Sequence, residues 1–504
     1  MRVLFVTSEV YPLAKTGGLA DVSHALPQAL MRCGVDVRIL APAYAGAAGR
    51  IESPCIAAKV EPLLGIGDAT LISGCLPNTK VPVLLVDAPA LFGRDGGLYQ
   101  SSDGQDWPDN ALRFAFLSHV AAKLAMGKAG FGWKPDVVHA NDWHTGLLSM
   151  LLALERTPTP ATIFTVHNMA FQGNFPADIL PTIGVPGSCF DTKGIEFYGQ
   201  ASFLKAGICY SDHVTTVSPT YAREVLTPEG GCGFDGLLRE RGKSFSGILN
   251  GIDEISWNPA SDAHLPQTFH VHDIVGKRIC KTALQREFRL PVDPEIALVG
   301  FVSRLAHQKM ADAILAALPW LAEQNAQFVL VGNGDRALEA GFEEAQKRYN
   351  NSVSVRIGYD EASAHRLLAG SDIVLAPARF EPCGLTQLYA LRYGALPVVR
   401  RTGGLADTVV DATTAAIASR SATGFVFEDT DLAGLLSALE RALTLYREPL
   451  TWRRLQLQAM AQDFSWNASA ARYISLYHDV TAIPLPACET IDNSNEGIMG
   501  QVAV

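Results

Sequence analysis

The sequence predicts an α/β protein made of two successive parallel β-sheets. Short apolar runs rich in β-branched residues alternate with longer amphipathic stretches along most of the chain. Runs this apolar are typical of parallel strands that helices cover on both faces. The chain has 504 residues, which is more than one hydrophobic core usually holds, so we expect two domains.

The first half contains apolar runs that are each followed by a longer amphipathic or irregular stretch. The predicted strands are residues 2–9, 35–42, 81–88, 136–142, 161–168 and 213–218, and the predicted helices include 20–33 and 109–130. The alternation lapses at LNGIDEISWNP (249–259), a connection that contains Pro and Asp. We therefore expect a first domain over residues 1–250.

The second half repeats the same alternation. Its predicted strands are residues 297–304, 326–334, 352–358, 372–379 and 395–401. We expect a second domain over residues 251–464, followed by a helix over 465–480 that has an apolar face but no strand after it. Residues 481–504 are polar and irregular and are predicted to form a loose tail.

Composition limits the classes of partner. The formal net charge is −10, from 41 basic and 51 acidic residues, which argues against nucleic acid or an anionic membrane as the main partner. Nine cysteines without a CxxC pair indicate reduced thiols. The first apolar run ends at Glu9 and Pro12, too soon for a signal-peptide core, and no run is long enough to cross a membrane. We expect a soluble cytoplasmic protein.

The sequence TGGLAD occurs twice, in KTGGLADV (15–22) and in RTGGLADTV (401–409), each time at a predicted strand-to-helix turn. Ligands of open parallel sheets bind beyond the carboxyl ends of the strands, so the two turns are expected on opposite walls of one cleft. Paired glycines allow close approach to a ligand, a helix start offers N–H groups, and Lys15 adds a cation suited to phosphate. Taken alone, the first motif equally fits a tight turn with a solvated lysine.

Two motifs of the second half suggest a site for a charged sugar donor. In SRLAHQK (303–309), Arg304 and Lys309 could hold a diphosphate, although an isolated basic pair at a strand end also fits an exposed loop. In RFEPCGLTQLY (379–389), Glu381 precedes a predicted helix start near Gly384. Its carboxylate could accept hydrogen bonds from sugar hydroxyls or could simply stabilise the helix dipole, and Cys383 also fits a small buried residue.

Two motifs of the first half end predicted strands, namely HANDWHTG (139–146) and TVHNMAFQG (165–173). We expect side chains from both to project into the cleft: Asp142, His144, His167 and Asn168, with Trp143 and Phe171 able to stack on sugar rings. The histidines at 139, 144 and 167 lack the regular spacing of dependable zinc sites, so no metal is expected. VGNGD (331–335) lacks the third glycine of a dinucleotide-binding fingerprint.

Together with ILNGID (248–253), these motifs resemble those of the bacterial glycogen synthase and plant starch synthase family, in the same order from about residue 3 to about residue 478. The resemblance implies a GT-B fold, in which two Rossmann-like domains face each other across a deep cleft and the last helix crosses back to the first domain. It also implies transfer of glucose from ADP-glucose to the non-reducing end of an α-1,4-glucan such as glycogen, with retention at the anomeric carbon, release of ADP, and neither metal nor cofactor.

The resemblance also implies roles for individual residues. Arg304 and Lys309 match the diphosphate clamp, Glu381 the residue that holds the donor glucose, and His167 a histidine beside the transferred sugar. Lys15 and the Gly17–Gly18 turn lie near the donor, and Tyr359 matches an aromatic residue near the adenine. The implied catalytic residues are Glu381, His167, Lys309, Arg304 and Asp142. The implied substrate-binding residues are Lys15, Gly17, Gly18, Asp21, Tyr99, Asn168, Asn250, Tyr359, Cys383, Gly384, Leu385, Thr386, Thr402 and Gly403.

Three positions bear on how closely the chain follows the family. Asn141 stands where the family usually has His, and Met310 where it usually has Gly. Since Met does not readily adopt a positive φ, we expect a differently shaped clamp loop. Tyr389 stands where many GT-B transferases carry a second Glu, as it does in the synthases, which favours the synthase family over the broader group.

Other functions are weaker alternatives. A glucan-binding scaffold of low activity would not need a diphosphate clamp, a glycan phosphorylase would need a lysine that binds pyridoxal phosphate, and a nicotinamide oxidoreductase would need a complete fingerprint. The sequence shows no pair of carboxylates like that of a retaining glycosidase. We therefore favour a front-face reaction without a covalent enzyme intermediate.

Overall fold

The structure, a computed structural model, describes residues 1–101 and 104–481. Except for Thr481, the predicted tail 481–504 lies outside the described residues. The described chain forms two α/β units, one on a nine-stranded sheet and one on a six-stranded sheet. The predicted α/β class is therefore confirmed.

The first unit is built on a sheet whose strand order is β12-β11-β7-β6-β1-β2-β5-β4-β3. Its strands are β1 (Arg2–Val6), β2 (Asp36–Pro42), β3 (Glu52–Lys59), β4 (Thr70–Cys75), β5 (Pro82–Asp87), β6 (Val137–Asn141), β7 (Ala161–Val166), β11 (His213–Thr216) and β12 (Phe245–Gly247). β8 (Asn174–Pro176), β9 (Glu196–Phe197) and β10 (Gln200–Ser202) form a small antiparallel sheet. The pairs β3–β4 and β4–β5 are antiparallel and the rest of the large sheet is parallel.

Helices pack on both faces of this sheet. They are α1 (Gly18–Arg32), α2 (Pro89–Phe92), α3 (Asn110–Ala125), α4 (Leu147–Ala153), α5 (Phe203–Tyr210), α6 (Pro219–Glu224) and α7 (Asp235–Arg241). Short 3-10 turns occur at Ala48–Arg50, Trp143–Thr145, Ala177–Ile179, Gly187–Cys189 and Gly242–Ser244. The central strands are buried along their length, in agreement with the apolar runs that predict them.

The second unit has a parallel sheet with the strand order β15-β14-β13-β16-β17-β18. Its strands are β13 (Leu298–Val302), β14 (Gln327–Gly332), β15 (Val353–Ile357), β16 (Ile373–Leu375), β17 (Leu396–Arg400) and β18 (Phe425–Phe427). Its helices are α8 (Val275–Glu287), α9 (Ala311–Glu323), α10 (Arg336–Arg348), α11 (Glu361–Gly370), α12 (Thr386–Arg392), α13 (Gly403–Thr408), α14 (Thr414–Ala418), α15 (Leu432–Tyr446) and α16 (Pro449–Met460). A 3-10 turn at His307–Lys309 precedes α9.

Three strands of the first sheet were not predicted, namely the hairpin strands β3 and β4 at one edge and the short strand β12 at the other. Most of β3 is exposed to solvent, and its sequence ESPCIAAK is neither continuously apolar nor regularly alternating. An edge strand pairs on one side only, so its side chains can remain in solvent and its sequence need not be apolar. The two strands extend the parallel sheet by an antiparallel hairpin that carries no predicted site residue.

The last helix, α17 (Trp466–Thr481), returns to the first unit, as the resemblance implies. Trp466, Tyr473 and Tyr477 lie in the same hydrophobic cluster as β1 and α1. The two connections between the units run side by side, because Ile252 and Ser465 form a parallel bridge. No helix within the described ranges is long and apolar enough to cross a membrane.

The return of α17 is held by a buried polar contact, which a conservative substitution can test. His139 lies between the Tyr477 hydroxyl, at 2.8 Å from Nδ1, and the Thr165 hydroxyl, at 2.7 Å from Nε2. Tyr477→Phe leaves one ring nitrogen without a partner, so we expect a loss of about 1–3 kcal/mol in the free energy of unfolding. Urea denaturation would measure it, with the exposed Tyr198→Phe as control. Equal stability of both variants would contradict this view of the contact.

Candidate active site

Loops that follow strands of the two sheets meet between the units. Gly18, at the start of α1, lies against the turn before α12, since a Cβ at Gly18 would be 3.7 Å from Leu385 Cδ1. The two TGGLAD turns, the segments after β6 and β7, and the segments after β13 and β16 all contribute to this region. The structure therefore forms the predicted cleft from the carboxyl ends of both sheets.

Two backbone amides of the first TGGLAD turn, those of Thr16 and Gly17, already donate hydrogen bonds to a side chain. The Glu9 carboxylate accepts hydrogen bonds from the Thr16 amide at 2.6 Å, from the Thr16 hydroxyl at 2.5 Å and from the Gly17 amide at 3.3 Å. It also accepts one from the Tyr99 hydroxyl at 2.7 Å. The amides of Thr16 and Gly17 are thus engaged, and Tyr99 belongs to the support of this turn. The helix α1 begins after them, at Gly18, and no side chain caps its start, so the expected N–H groups at the helix start stay a prediction.

Lys15 remains the charged group that this turn presents. Its Nζ donates to Asp21 Oδ1 at 2.7 Å. Burial lowers the pKa of Lys15, but the Asp21 carboxylate outweighs it, with smaller contributions from Tyr359 and Glu361, so that the pKa is raised overall. The contributions of Tyr359 and Glu361 show that Lys15 lies close to the second domain. Lys15 thus pairs with Asp21 and lies within electrostatic range of Tyr359.

Asp142 is a buried carboxyl group in the segment after β6, the strand next to β1. It directly follows β6 and has a φ of 58°, a region that non-glycine residues seldom adopt. Its Oδ1 accepts the backbone N–H of His167 at 2.7 Å. Burial raises the pKa of Asp142 to about 7, although the amides of His167 and Asn168 partly oppose the rise. The carboxyl group is thus partly protonated near neutral pH.

His167 is neutral in the folded protein, because burial lowers its pKa to about 3. Its Nε2 lies 3.0 Å from Asn141 Oδ1, while Asn141 Nδ2 donates to the Val6 and His139 carbonyls. Since those carbonyls orient the amide, Oδ1 is the acceptor and the His167 proton lies on Nε2. Asn141 thereby leaves Nδ1 of His167 as an acceptor.

Of two further residues predicted at the cleft, His144 is packed elsewhere and Phe171 is exposed. His144 is buried and stacks on Trp143 with ring centroids 4.0 Å apart and on Tyr99 at 4.5 Å. The expectation that His144 projects into the cleft is therefore wrong. Phe171 is 52% exposed and free to stack on a ligand. Among the residues that the structure describes, no group of three or more His, Cys, Asp or Glu side chains is arranged to hold a metal ion.

On the second domain, Lys309 and Glu381 form an ion pair. Their two loops are joined by further bonds, because Arg379 binds both carboxylate oxygens of Asp312 at 2.8 Å and its amide donates to the Gln308 carbonyl at 2.8 Å. The pair is mostly buried, whereas Arg304 on the same loop is exposed. Lys309 of the predicted clamp and the predicted sugar-binding carboxylate thus lie together, and Arg304 lies five residues before Lys309 on the loop after β13.

The loop after Glu381 is compact. Gly384 has a φ of 72°, and the Gln387 amide group donates to the carbonyls of Cys383 and Gly384 at 3.1 and 3.0 Å. Burial raises the pKa of Cys383 to about 12, a rise that the Asn250 backbone N–H partly opposes. Leu385 and Thr386 follow at the start of α12. Asn250, at the end of the first domain, is therefore next to this donor-side loop.

Met310 adopts the left-handed conformation that glycine favours, with φ 51° and ψ 31°. The expectation that Met310 resists a positive φ is therefore wrong. With it goes the reason to expect a differently shaped loop. The conformation costs a side chain roughly 1–2 kcal/mol. Met310 is fully buried, and the loss of such a side chain costs about 2–5 kcal/mol. The packing therefore outweighs the strain.

The second TGGLAD turn faces a carboxylate of the other domain. Glu224 accepts hydrogen bonds from the Gly403 amide at 2.9 Å and from the Thr402 hydroxyl at 3.1 Å. Thr402 and Gly403 thus have their polar groups engaged at the domain interface. Glu9 and Glu224, which fill the two equivalent turns, were not among the predicted residues, and no local pattern in the sequence pairs either of them with its turn.

Known proteins resemble this chain over nearly all of its length. A family model described as the starch synthase catalytic domain matches residues 2–240, and one described as glycosyl transferases group 1 matches residues 283–454. Glycogen synthase 1 of Methylococcus capsulatus is 49% identical over 98% of this chain and 99% of its own length. Glycogen synthase of Burkholderia thailandensis is 51% identical over 95% of this chain and 90% of its own.

Solved structures give the same result. The catalytic domain of starch synthase IV from Arabidopsis thaliana, bound to ADP and acarbose, superposes with a TM-score of 0.86 at 34% identity, over 96% of this chain and 99% of that one. Sucrose-phosphate synthase from Thermosynechococcus elongatus shares the fold, with a TM-score of 0.56 at 16% identity over 95% of this chain and 99% of that one. Fold and site thus define a GT-B glycosyltransferase. The chain belongs to the bacterial glycogen synthase and plant starch synthase family.

The raised pKa of Asp142 predicts a specific pH dependence of stability. In the unfolded chain an Asp has a pKa of about 4, and in the folded protein that of Asp142 is about 7. Because the folded pKa is higher, the wild type loses stability as the pH rises from about 4 to about 7. Asp142→Asn keeps an acceptor for the His167 amide without titrating. Relative to wild type, the variant should gain about 3–4 kcal/mol over this range and nothing more above about pH 8.

Denaturant titrations at half-unit steps between pH 4 and 8.5 would measure the difference. Asp95→Asn, which changes an exposed carboxylate, serves as the control. If the stability difference between Asp142→Asn and wild type does not vary with pH, Asp142 is ionised throughout and the account of its burial is wrong.

Proposed function

We propose that this enzyme transfers glucose from ADP-glucose to the non-reducing end of an α-1,4-glucan, with retention at the anomeric carbon and release of ADP. The observation that carries the proposal is the match over nearly the whole chain to a starch synthase bound to ADP and acarbose. The curated relatives named glycogen synthase support the same reaction. Nothing in these findings favours a scaffold without activity.

The leaving diphosphate is held by Lys309, Arg304 and Lys15. Lys309 has three N–H donors and uses one on Glu381, so it can bind diphosphate oxygens while it remains paired. Arg304, on the same loop, is exposed and offers a planar set of donors suited to phosphate. Lys15 approaches from the first domain. Three cations at the diphosphate offset the charge that develops as ADP departs.

The donor glucose is held by the loop that contains Glu381. The Glu381 carboxylate accepts hydrogen bonds from sugar hydroxyls, and the ion pair with Lys309 orients it. The backbone of Cys383, Gly384, Leu385 and Thr386 lies next to it, and Gly384 at positive φ lets the chain turn there without a side chain in the way. Tyr359, which is 55% exposed, is available to stack on adenine.

The first domain supplies the wall beside the transferred sugar. Neutral His167, Asn168 and the Asp142 carboxyl group form the polar part of this wall, and Asn250 adds an amide whose buried Oδ1 has no partner within the described structure. An unpaired buried acceptor is costly unless a ligand donates to it. The loop that closes over the donor is shaped by Gly17, Gly18, Asp21 and Tyr99. The loop at Glu381 is supported, on the side away from the donor, by Thr402 and Gly403.

The chemical step exchanges one bond at the anomeric carbon for another. The bond from the anomeric carbon to the diphosphate oxygen breaks, and a bond to the 4-hydroxyl oxygen of the glucan forms on the same face. The proton of that hydroxyl passes to the departing diphosphate. No enzyme group forms a covalent bond to the sugar, so the reaction needs no second catalytic carboxylate besides Glu381.

We also propose that the reaction takes place in the cytoplasm. The eight cysteines within the described residues are free thiols, and three of them, Cys33, Cys55 and Cys232, are exposed. Exposed thiols are typical of proteins in a reducing compartment.

The proposal is tested by glucose incorporation into glycogen, with ADP-glucose and UDP-glucose compared at equal concentration. We expect incorporation that strongly favours ADP-glucose. Preference for UDP-glucose would overturn the donor assignment but keep the reaction. A folded protein that binds glycogen and incorporates glucose from neither donor would overturn the activity itself.

Glu381→Ala should lower kcat by about 10²–10³, because it removes one preorganised contact to the donor sugar and leaves Lys309 unpaired. Steady-state kinetics at saturating donor and glucan would measure the loss, and circular dichroism would check the fold. Glu428→Ala, which removes an exposed carboxylate of the same domain, is the control. A folded Glu381→Ala variant with near-normal kcat would exclude Glu381 from this role.

Lys15→Ala should raise KM for ADP-glucose by about tenfold, as expected for the loss of one charged hydrogen bond of about 1.5 kcal/mol. KM for glycogen should change by less than about twofold, because the side chain is directed to Asp21 and the second domain. Kinetics with each substrate varied in turn would separate the two effects. An equal change in both KM values would mean that the Lys15 loop is only structural.

A further inference from the structure

The domain interface contains a reciprocal pair of carboxylate contacts, which we name the α6–α13 clasp. Glu224 at the end of α6 binds the Gly403 amide and the Thr402 hydroxyl at the start of α13. In return, Asp407 near the end of α13 accepts the Thr220 amide at 2.9 Å and the Thr220 hydroxyl at 2.6 Å. Each domain thus supplies a carboxylate to the helix start of the other.

Behind the clasp, the second TGGLAD turn touches the backbone of the donor-side loop. A Cβ at Gly403 would lie 1.8 Å from the Glu381 carbonyl oxygen, and one at Gly404 would lie 2.1 Å from the Cys383 carbonyl oxygen. The Gly404 amide donates to the carbonyls of Glu381 and Pro382, both at 3.2 Å. The two backbones are in direct contact, so a shift of the turn moves the backbone of Glu381.

A continuous chain of contacts therefore leads from the first domain to the donor site. It runs from Glu224 to the Gly403 amide, and from Gly404 to the Glu381 carbonyl. The side chain of Glu381 in turn holds Lys309. Glu224 itself touches neither residue of this ion pair in the structure.

We propose that Glu224 is a positioning residue, which sets the place of Glu381 through the Gly403–Gly404 turn when the two domains are held by the α6–α13 clasp. What Glu381 does for the donor rests on the proposed function, but its positioning does not. Because the contact crosses the interface, the donor side is completed only when the first domain is seated against it. A carboxylate is suited to this, since it can accept from the amide and the hydroxyl at once.

The test compares Glu224→Ala and Glu224→Gln with wild type in two measurements. The first is kcat for transfer from saturating ADP-glucose to glycogen, with KM for each substrate. The second is amide hydrogen exchange in peptides that cover residues 379–386 and 402–408. Glu428→Gln is the matched control, because Glu428 binds Arg401 beside the same turn but is exposed and makes no contact with Gly403.

We expect Glu224→Ala to lower kcat by about tenfold or more, since small displacements of a positioned group are costly, while KM for glycogen changes by less than about twofold. Exchange should become faster in both peptides. Glu224→Gln keeps one oxygen for the Gly403 amide and should recover most of kcat. Glu428→Gln should match wild type in both measurements.

Several outcomes would overturn the proposal. These are a kcat of Glu224→Ala within about twofold of wild type, unchanged exchange over residues 379–386, or a Glu224→Gln variant as impaired as Glu224→Ala. If Glu224→Ala does not fold, Thr220→Val removes the hydroxyl from the other half of the clasp and must show the same two changes in weaker form. If wild type transfers no glucose from ADP-glucose, the proposed function fails, and the exchange data alone decide the positioning.

Discussion

The contact between the Gly403–Gly404 turn and the carbonyls of residues 381–383 constrains the whole donor side. There is no space for a side chain at either glycine, because a Cβ would come within about 2 Å of a carbonyl oxygen. The close approach lets the Gly404 amide hold the backbone at Glu381, and Glu381 in turn holds Lys309. If this packing were looser, both Glu381 and Lys309, the residues proposed to hold the donor sugar and the diphosphate, would lose their fixed positions.

Both TGGLAD turns are stabilised by a glutamate carboxylate, but the two carboxylates come from different places in the molecule. In each, a glutamate carboxylate accepts hydrogen bonds from the threonine hydroxyl and from the amide of the glycine that follows it. Glu9 also accepts the Thr16 amide, whereas the Thr402 amide donates to the Arg400 carbonyl. The first turn is supported from its own domain, by Glu9. The second turn is filled across the interface by Glu224, so its shape depends on how the domains sit. The same six-residue sequence thus forms one turn that is supported within its own domain and one turn whose support comes from the other domain.

Local pattern predicted the buried strands and the loops that end them, because continuous apolar runs and Gly-rich turns are local signals. It placed Asp142 and His167 directly after strands, and Lys309 and Glu381 in segments between a strand and a helix, where the structure has them. It could not find Glu224, whose partner lies about 180 residues away in sequence and is set only by tertiary packing. Met310 was misread for a related reason, since burial of its side chain outweighs the intrinsic preference of its backbone.

The charges of the cleft are unequally divided between its walls. The second domain and Lys15 supply the fixed cations, whereas His167 is neutral, because burial holds its pKa at about 3. A cation beside the anomeric carbon would oppose the positive charge that develops there, so a neutral histidine suits that position. Asp142, with its pKa of about 7, adds negative charge to the same wall as the pH rises. Under the proposed function, this arrangement would attract the leaving diphosphate to one wall and accommodate a cationic sugar at the other, as separation of charge along the breaking bond requires.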